Sequence, residues 1–163
     1  MMWLRRFLVV LILLAAASVK AQDIASWKVK DVKNYIDKSD SILVINFWAT
    51  FCVPCVEEIP YLQGISNKYK NQKVKLLLVS LDLPSFYPHK IETFANEHNI
   101  NSEVVWLNET NADYFCPAID KSWSGVIPAT IFINKKTGYK KFIEEEMTAE
   151  QFEAELKKAL VSH

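Results

Sequence analysis

Arginine is almost missing from this sequence: only Arg5 and Arg6 occur, and every later fixed positive charge is a lysine. Basic and acidic residues balance at 19 each. A strongly basic face, which nucleic-acid binding would want, is therefore not expected. The local run Lys68, Lys70, Lys73 and Lys75 falls between a helical and a strand pattern and reads as a solvated turn. Histidine is scarce as well, and His89, His98 and His163 form no cluster. The chain has three cysteines. A zinc site built on Cys52 and Cys55 would need two further ligands, and Cys116 with the scattered histidines offers no second pair, so no metal is expected. Internal repeats and low-complexity linkers are also lacking.

The N-terminal stretch is of a different character. Arg5 and Arg6 precede an apolar run, Phe7 to Ala17, which is too short to span a bilayer comfortably. Val19-Lys20-Ala21 then offers a small-residue cleavage point. Residues 1–21 are predicted to be a secretory signal peptide and 22–163 the mature domain, with an uncleaved membrane anchor as the alternative reading of the segment. No cysteine lies near the cleavage point, which argues against bacterial-type lipid attachment. Residues 1–21 hold three basic residues and no acid, leaving 16 basic against 19 acidic residues in the mature part. Some 142 residues suit one domain with a full hydrophobic core.

The most informative stretch runs from Ile42 to Pro60. Ile42 to Trp48 is short, apolar and rich in β-branched and aromatic residues, the pattern of a buried strand. Cys52 and Cys55 follow, separated by Val53 and Pro54. Val56, Ile59, Leu62, Ile65 and Tyr69 then recur at three- and four-residue steps, one apolar helical face over Cys52–Tyr69. A helix start leaves N–H groups unpaired and carries partial positive charge. A thiolate placed there is stabilised and becomes a usable nucleophile near neutral pH. Pro54 fits a first turn, which needs no N–H from it. Cys52, nearer the end, is predicted to be the exposed attacker and Cys55, one turn in, the buried resolver. The pair can close a small ring and reopen by thiol–disulfide exchange. A purely structural bridge is poorly motivated, because so short a loop restrains little unfolded-chain entropy.

At these residues the chain resembles the thioredoxin superfamily. Trp48-Ala49-Thr50-Phe51-Cys52-Val53-Pro54-Cys55 is similar to its W-x-x-x-C-x-x-C signature, and Pro60 stands where that family kinks the helix. Gly125-Val126-Ile127-Pro128-Ala129-Thr130 resembles the family's cis-proline loop. The resemblance implies that Pro128 is cis, that Trp48 flanks and shields the site, with plain core packing as its alternative, and that Trp48, Ile127 and Pro128 contact substrate, Ile127 by presenting its backbone to a substrate strand. Asn46 departs from the family, which usually has a buried aspartate two residues before the tryptophan. Glu58 resembles a glutamate of the TlpA/ResA type, and two readings are open for it: proton handling for Cys55, or a surface acid favoured by the helix dipole. Glu57 is expected to be only the latter. Cys116, beside Tyr114 and Phe115, is expected to be a buried inert thiol.

Elsewhere the patterns predict a helix over 24–37, a strand over Lys73–Leu81, a helix over Lys90–His98 and a strand over Glu103–Leu107. A helix interrupted by Pro117 follows over Asn111–Lys121. Strands Ala129–Ile133 and Tyr139–Ile143 are joined by a turn with Gly138. Thr148-Ala149-Glu150-Gln151 is a capping box opening a last helix, with Phe152, Leu156 and Leu160 inward. The expected fold is α/β: a thioredoxin fold, a central mixed sheet flanked by helices, with an extra helix–strand insertion at about 88–107 that resembles the TlpA/ResA type.

These resemblances imply an exported thiol–disulfide oxidoreductase, soluble once processed, at an extracytoplasmic or periplasmic location. It would reduce protein disulfides, with apocytochrome c (cytochrome c biogenesis) among the candidate substrates. A membrane thiol carrier would supply electrons, and no nonprotein cofactor would be needed. Two rivals belong beside it. A copper chaperone or other non-enzymatic binding module on this fold would resemble C-x-x-x-C with a nearby histidine, one residue longer than the spacing here. A thiol peroxidase would want a threonine where Ala49 stands, with an arginine to accompany it.

Overall fold

The computed structural model describes residues 23–161; the predicted signal segment lies outside them. The chain order is β1 (Ala25–Trp27), α1 (Val29–Lys38), β2 (Ile42–Trp48), α2 (Val53–Lys68), β3 (Val74–Ser80), α3 (His89–Glu97), β4 (Glu103–Leu107), α4 (Ala112–Ile119), β5 (Ala129–Asn134), β6 (Tyr139–Ile143) and α5 (Ala149–Val161). The six strands form one sheet in the order β1-β4-β3-β2-β5-β6. β1, β4, β3 and β2 run parallel; β5 is antiparallel to β2, and β6 to β5.

β2 is buried at every position, as a strand covered on both faces must be. Its side chains alternate between two cores. Leu43, Ile45 and Phe47 pack with Val29 and Val32 of α1 and Phe115 of α4. Ile42, Val44 and Trp48 pack with Ile59 and Leu62 of α2, Ile91 of α3 and Phe152 and Leu156 of α5. Phe132 of β5 and Phe152 are both fully buried, with ring centroids 5.3 Å apart. Phe132→Ala is expected to cost about 3–5 kcal/mol of unfolding free energy, as other buried aromatic truncations do. A denaturation midpoint equal to wild type would show that this layer is not needed.

The structure corrects two expectations. The predicted helix over 24–37 is split. Ala25, Ser26 and Trp27 pair with Val105, Trp106 and Leu107, and the helix starts only at Val29. The backbone groups on the outer edge of β4 need partners, and this segment supplies them. Lys28 N–H donates to Asp31 at 2.8 Å, closing the helix start. Pro117 also does not interrupt α4; it stands inside the helix, which ends at Ile119. Near the end of a helix a missing N–H removes a single hydrogen bond. The insertion appears as α3 and β4, with β4 set between β1 and β3. The capping box is reciprocal: Thr148 N–H donates to Gln151 Oε1 at 2.8 Å and Gln151 N–H to Thr148 Oγ1 at 3.3 Å.

Candidate active site

β2 carries the chain to the end of the sheet at Trp48, a short turn follows, and α2 begins. Cys52 is the N-cap of that helix. Its Sγ accepts the Cys55 N–H at 3.4 Å, so a sulfur occupies the place where a capping oxygen would take an orphan amide. Cys52 and Cys55 are joined, with an S–S distance of 2.03 Å. Cys52 is half-buried and Cys55 fully buried, the asymmetry expected of attacker and resolver.

The Ile127–Pro128 peptide is cis. Ile127 O lies 3.9 Å from Cys52 Sγ; a disulfide sulfur has no proton to give, so this is a contact and not a hydrogen bond. Among the described residues, the Ile127 N–H has no hydrogen-bond partner. Trp48 requires a correction. Expected to contact substrate, its side chain is fully buried, tilted against Phe94 at a centroid distance of 5.7 Å. It supports the turn from beneath and offers substrate no surface. The exposed apolar groups on the segments around the cysteines are instead Phe51, Val53 and Val126.

Glu58 is fully buried, which removes the surface-acid reading. Glu57 is exposed, as expected. Asn46 Nδ2 donates to Glu58 Oε1 at 2.6 Å and to Thr130 Oγ1 at 3.0 Å, and Met147 N–H donates to Glu58 Oε2 at 3.3 Å. Burial pushes the Glu58 carboxyl up to about 7; the bonds from Asn46 and Met147 offset only part of this, and the charge of Glu146 adds to the rise. A carboxyl of that kind exchanges protons near neutral pH. Three residues past Cys55, it lies on the same side of α2.

Several residues around the site carried no sequence signal. Asp82, buried just after β3, accepts hydrogen bonds from Thr50 N–H at 3.1 Å, Thr50 Oγ1 at 2.6 Å and Ser80 Oγ at 2.7 Å, tying the turn before Cys52 to the sheet. Trp123, packed against Phe47 at a centroid distance of 4.6 Å, donates from Nε1 to Val126 O at 2.9 Å. Cys116 is buried as expected, and its thiol is pushed up to about 11 by desolvation and then by Glu144 and Asp113. Cys116→Ala is therefore expected to leave thiol–disulfide turnover unchanged. Rapid alkylation of Cys116 in the folded, oxidised protein at neutral pH would contradict its inertness.

An open cleft of about 570 Å3 lies between β1 and α1, lined in part by Trp27, Asp31 and Tyr35; none of its lining residues belongs to the cysteine site. Among the described residues there is no group of three or more His, Cys, Asp or Glu able to hold a metal, and no helix long and apolar enough to cross a membrane.

Fold and site together define the class: a thioredoxin-fold protein of the thiol–disulfide oxidoreductase kind. Residues 14–138 match the AhpC/TSA family, and the chain belongs to it. It is similar to the thiol-disulfide oxidoreductase ResA of Oceanobacillus iheyensis, 27% identical over 143 residues, or 80% of this chain and 67% of that protein. It is also similar to ResA of Geobacillus kaustophilus, 30% identical over 112 residues, or 69% of this chain and 59% of that protein. The chain thus spans 59–67% of the length of these two relatives. Among solved structures, a thioredoxin-related protein from Neisseria meningitidis serogroup B superposes with a TM-score of 0.62 at 22% identity, covering 76% of this chain and 89% of that one. A thiol:disulfide interchange protein from Chlorobium tepidum TLS superposes at 0.61 with 17% identity, covering 77% and 84%. At these identities the superpositions speak for the fold.

Proposed function

We propose that the protein reduces disulfides of other exported proteins through the Cys52–Cys55 pair. The observation that carries this is the placement of Cys52: half-exposed at a helix start, with Cys55 buried behind it and the Ile127 carbonyl across from it. In the reduced protein the Cys52 thiolate attacks a substrate disulfide; one substrate sulfur leaves as a thiolate and takes a proton. Cys55 then gives up its proton and attacks Cys52 Sγ, the second substrate sulfur leaves, and two electrons have passed to the substrate. Glu58 is the proton-handling group for Cys55. The Ile127 N–H and C=O pair with the extended backbone beside the substrate cysteine.

Residues 1–21 direct export and are removed, which places the domain on the extracytoplasmic side. A membrane thiol carrier returns it to the dithiol form, and apocytochrome c fits as a substrate because its cysteines must be reduced. The names of the ResA relatives support the reaction class. A mass measurement on exported material tests the cleavage.

Equilibration with glutathione tests the direction. A reductase of this kind stays mostly oxidised in a glutathione buffer poised near about −230 mV and catalyses insulin reduction by dithiothreitol. A pair that is mostly reduced under those conditions would mark an oxidant instead. The AhpC/TSA match keeps peroxide reduction as the rival reading. Ala49 lacks the hydroxyl that chemistry would want, and no arginine follows Arg6. Thiol-dependent consumption of hydrogen peroxide, without insulin reduction, would reverse the order.

A further inference from the structure

The loop from Trp123 to Pro128 carries the Ile127 carbonyl that lies 3.9 Å from Cys52 Sγ, and it is held by a group the proposed chemistry does not use. Glu144 Oε1 accepts hydrogen bonds from Ser124 N–H at 2.9 Å, Ser124 Oγ at 2.6 Å and Val126 N–H at 2.9 Å, and Oε2 accepts from Ser124 N–H at 3.1 Å. Gly125 between them has φ +102°, a conformation L side chains rarely adopt, and this lets the two flanking amides converge on one carboxylate. Glu144 directly follows β6, whose last residue, Ile143, is the register partner of Thr130. The carboxylate is therefore delivered from the sheet to the loop.

Ser124, Gly125 and Val126 are all exposed. Water would satisfy their amides if Glu144 were absent, so the net stability these bonds supply is small. Their effect is to select one loop conformation before a substrate arrives. Trp123 Nε1 fixes the Val126 carbonyl from the other side. Among the described residues, this leaves the Ile127 N–H and C=O without a hydrogen-bond partner beside Cys52.

We propose that Glu144 is a positioning residue that pre-orders the 124–127 loop for an extended polypeptide, favouring protein disulfides over small ones. This deepens the function proposed above and rests on it. Desolvation acts to raise the Glu144 carboxyl, but the Ser124 hydroxyl and the loop amides outweigh it and hold the group below the usual carboxylate range, as a carboxylate engaged by donors should be.

The test compares two substrates in the full chain. In Glu144→Ala, KM for insulin rises about tenfold with kcat nearly unchanged, because loop ordering is now charged to binding. Reduction of the small disulfide 5,5′-dithiobis(2-nitrobenzoate) and the equilibrium with glutathione stay within about twofold, since neither uses backbone pairing. Glu144→Gln, which keeps one acceptor oxygen, recovers part of the loss. An insulin KM within about twofold of wild type, or a parallel fall with both substrates, overturns the role. Amide hydrogen exchange in the wild-type protein gives a readout that needs no variant: Ser124 and Val126 exchange slowly for exposed residues, and fast exchange overturns the proposal. A wild-type protein that reduces neither substrate removes the proposed function itself, whereas active wild type with an unchanged Glu144→Ala removes only Glu144.

Discussion

Cys52→Ser is expected to abolish disulfide reduction, and Cys55→Ser to trap the substrate covalently. The two cysteines are not equivalent in the structure, so the two variants should fail at different steps. Cys52 caps α2, its sulfur within reach of the Cys55 N–H and half open to solvent. A thiolate is stabilised there by the same unpaired amides that cap a helix with an oxygen. A serine hydroxyl in that place keeps its proton, and the loss should be at least about 10³-fold, as for other enzymes stripped of their nucleophile. Cys55 is sealed beneath the surface and cannot meet a large substrate directly. With serine there, the first exchange still occurs and the mixed disulfide has no intramolecular exit. Incubating reduced Cys55→Ser with an oxidised protein substrate should give a covalent one-to-one species, seen by non-reducing mass measurement and released by dithiothreitol. Equal trapping by Cys52→Ser would reverse the assignment of attacker and resolver. Full insulin reduction by Cys52→Ser would make the domain a scaffold with an incidental disulfide.

What could be read in the sequence was whatever depends on neighbours along the chain. The β2 and β4 bounds follow from apolar runs, and Glu103–Leu107 and Tyr139–Ile143 agree with the structure residue for residue. The cysteine pair is local in the same sense. β1 was not legible, because three residues carry no period and Ile24 with Trp27 fits a helical step equally well. On α2, Val56 and Ile65 were expected on the buried face and are half-buried, while Gln63 and Ser66 lie inside. Gln63 is accommodated because its side-chain oxygen accepts the Asn101 and Ser102 amides at 2.6 and 2.9 Å. The same limit hid the surroundings of Glu58. Its partners lie 12 residues upstream and 89 downstream, and only the fold brings Asn46 and Met147 together. Glu144 and Ser124, 20 residues apart, are hidden in the same way. A carboxylate near a helix start reads as a surface group until a strand and a loop are known to close over it.

That closure gives Glu58→Gln the second large expected effect, and it has two independent readouts. The first is stability. The Glu58 carboxyl stands at about 7 in the folded protein against an ordinary value of 4.5, chiefly through burial. Below pH 4.5 both folded and unfolded chains hold the proton and the group contributes no slope. Between pH 4.5 and 7 the unfolded chain has released it and the folded chain has not. The unfolded state then binds fewer protons, so stability falls as pH rises, and above 7 the loss is complete. The rise from 4.5 to about 7 corresponds to about 3 kcal/mol at about 1.4 kcal/mol per tenfold change. Glutamine has no proton to lose. Oxidised Glu58→Gln should therefore gain about 3 kcal/mol on wild type between pH 4 and pH 8 in urea unfolding, and parallel curves would show that Glu58 is not held protonated. The second readout is kinetic. Cys55 must lose its proton to attack the mixed disulfide, and it sits where water does not reach it. A carboxyl near 7 on the same side of α2 can accept that proton at neutral pH; an amide cannot. The resolving step of Glu58→Gln should slow about 100-fold at pH 7, the lower end of what a positioned acid–base group contributes. Wild type should show a pH inflection near 7 in stopped-flow measurement of thiol release that the variant lacks. A variant that is slower at every pH by one constant factor, with the inflection intact, would assign Glu58 to packing and leave Cys55 to be deprotonated by another group.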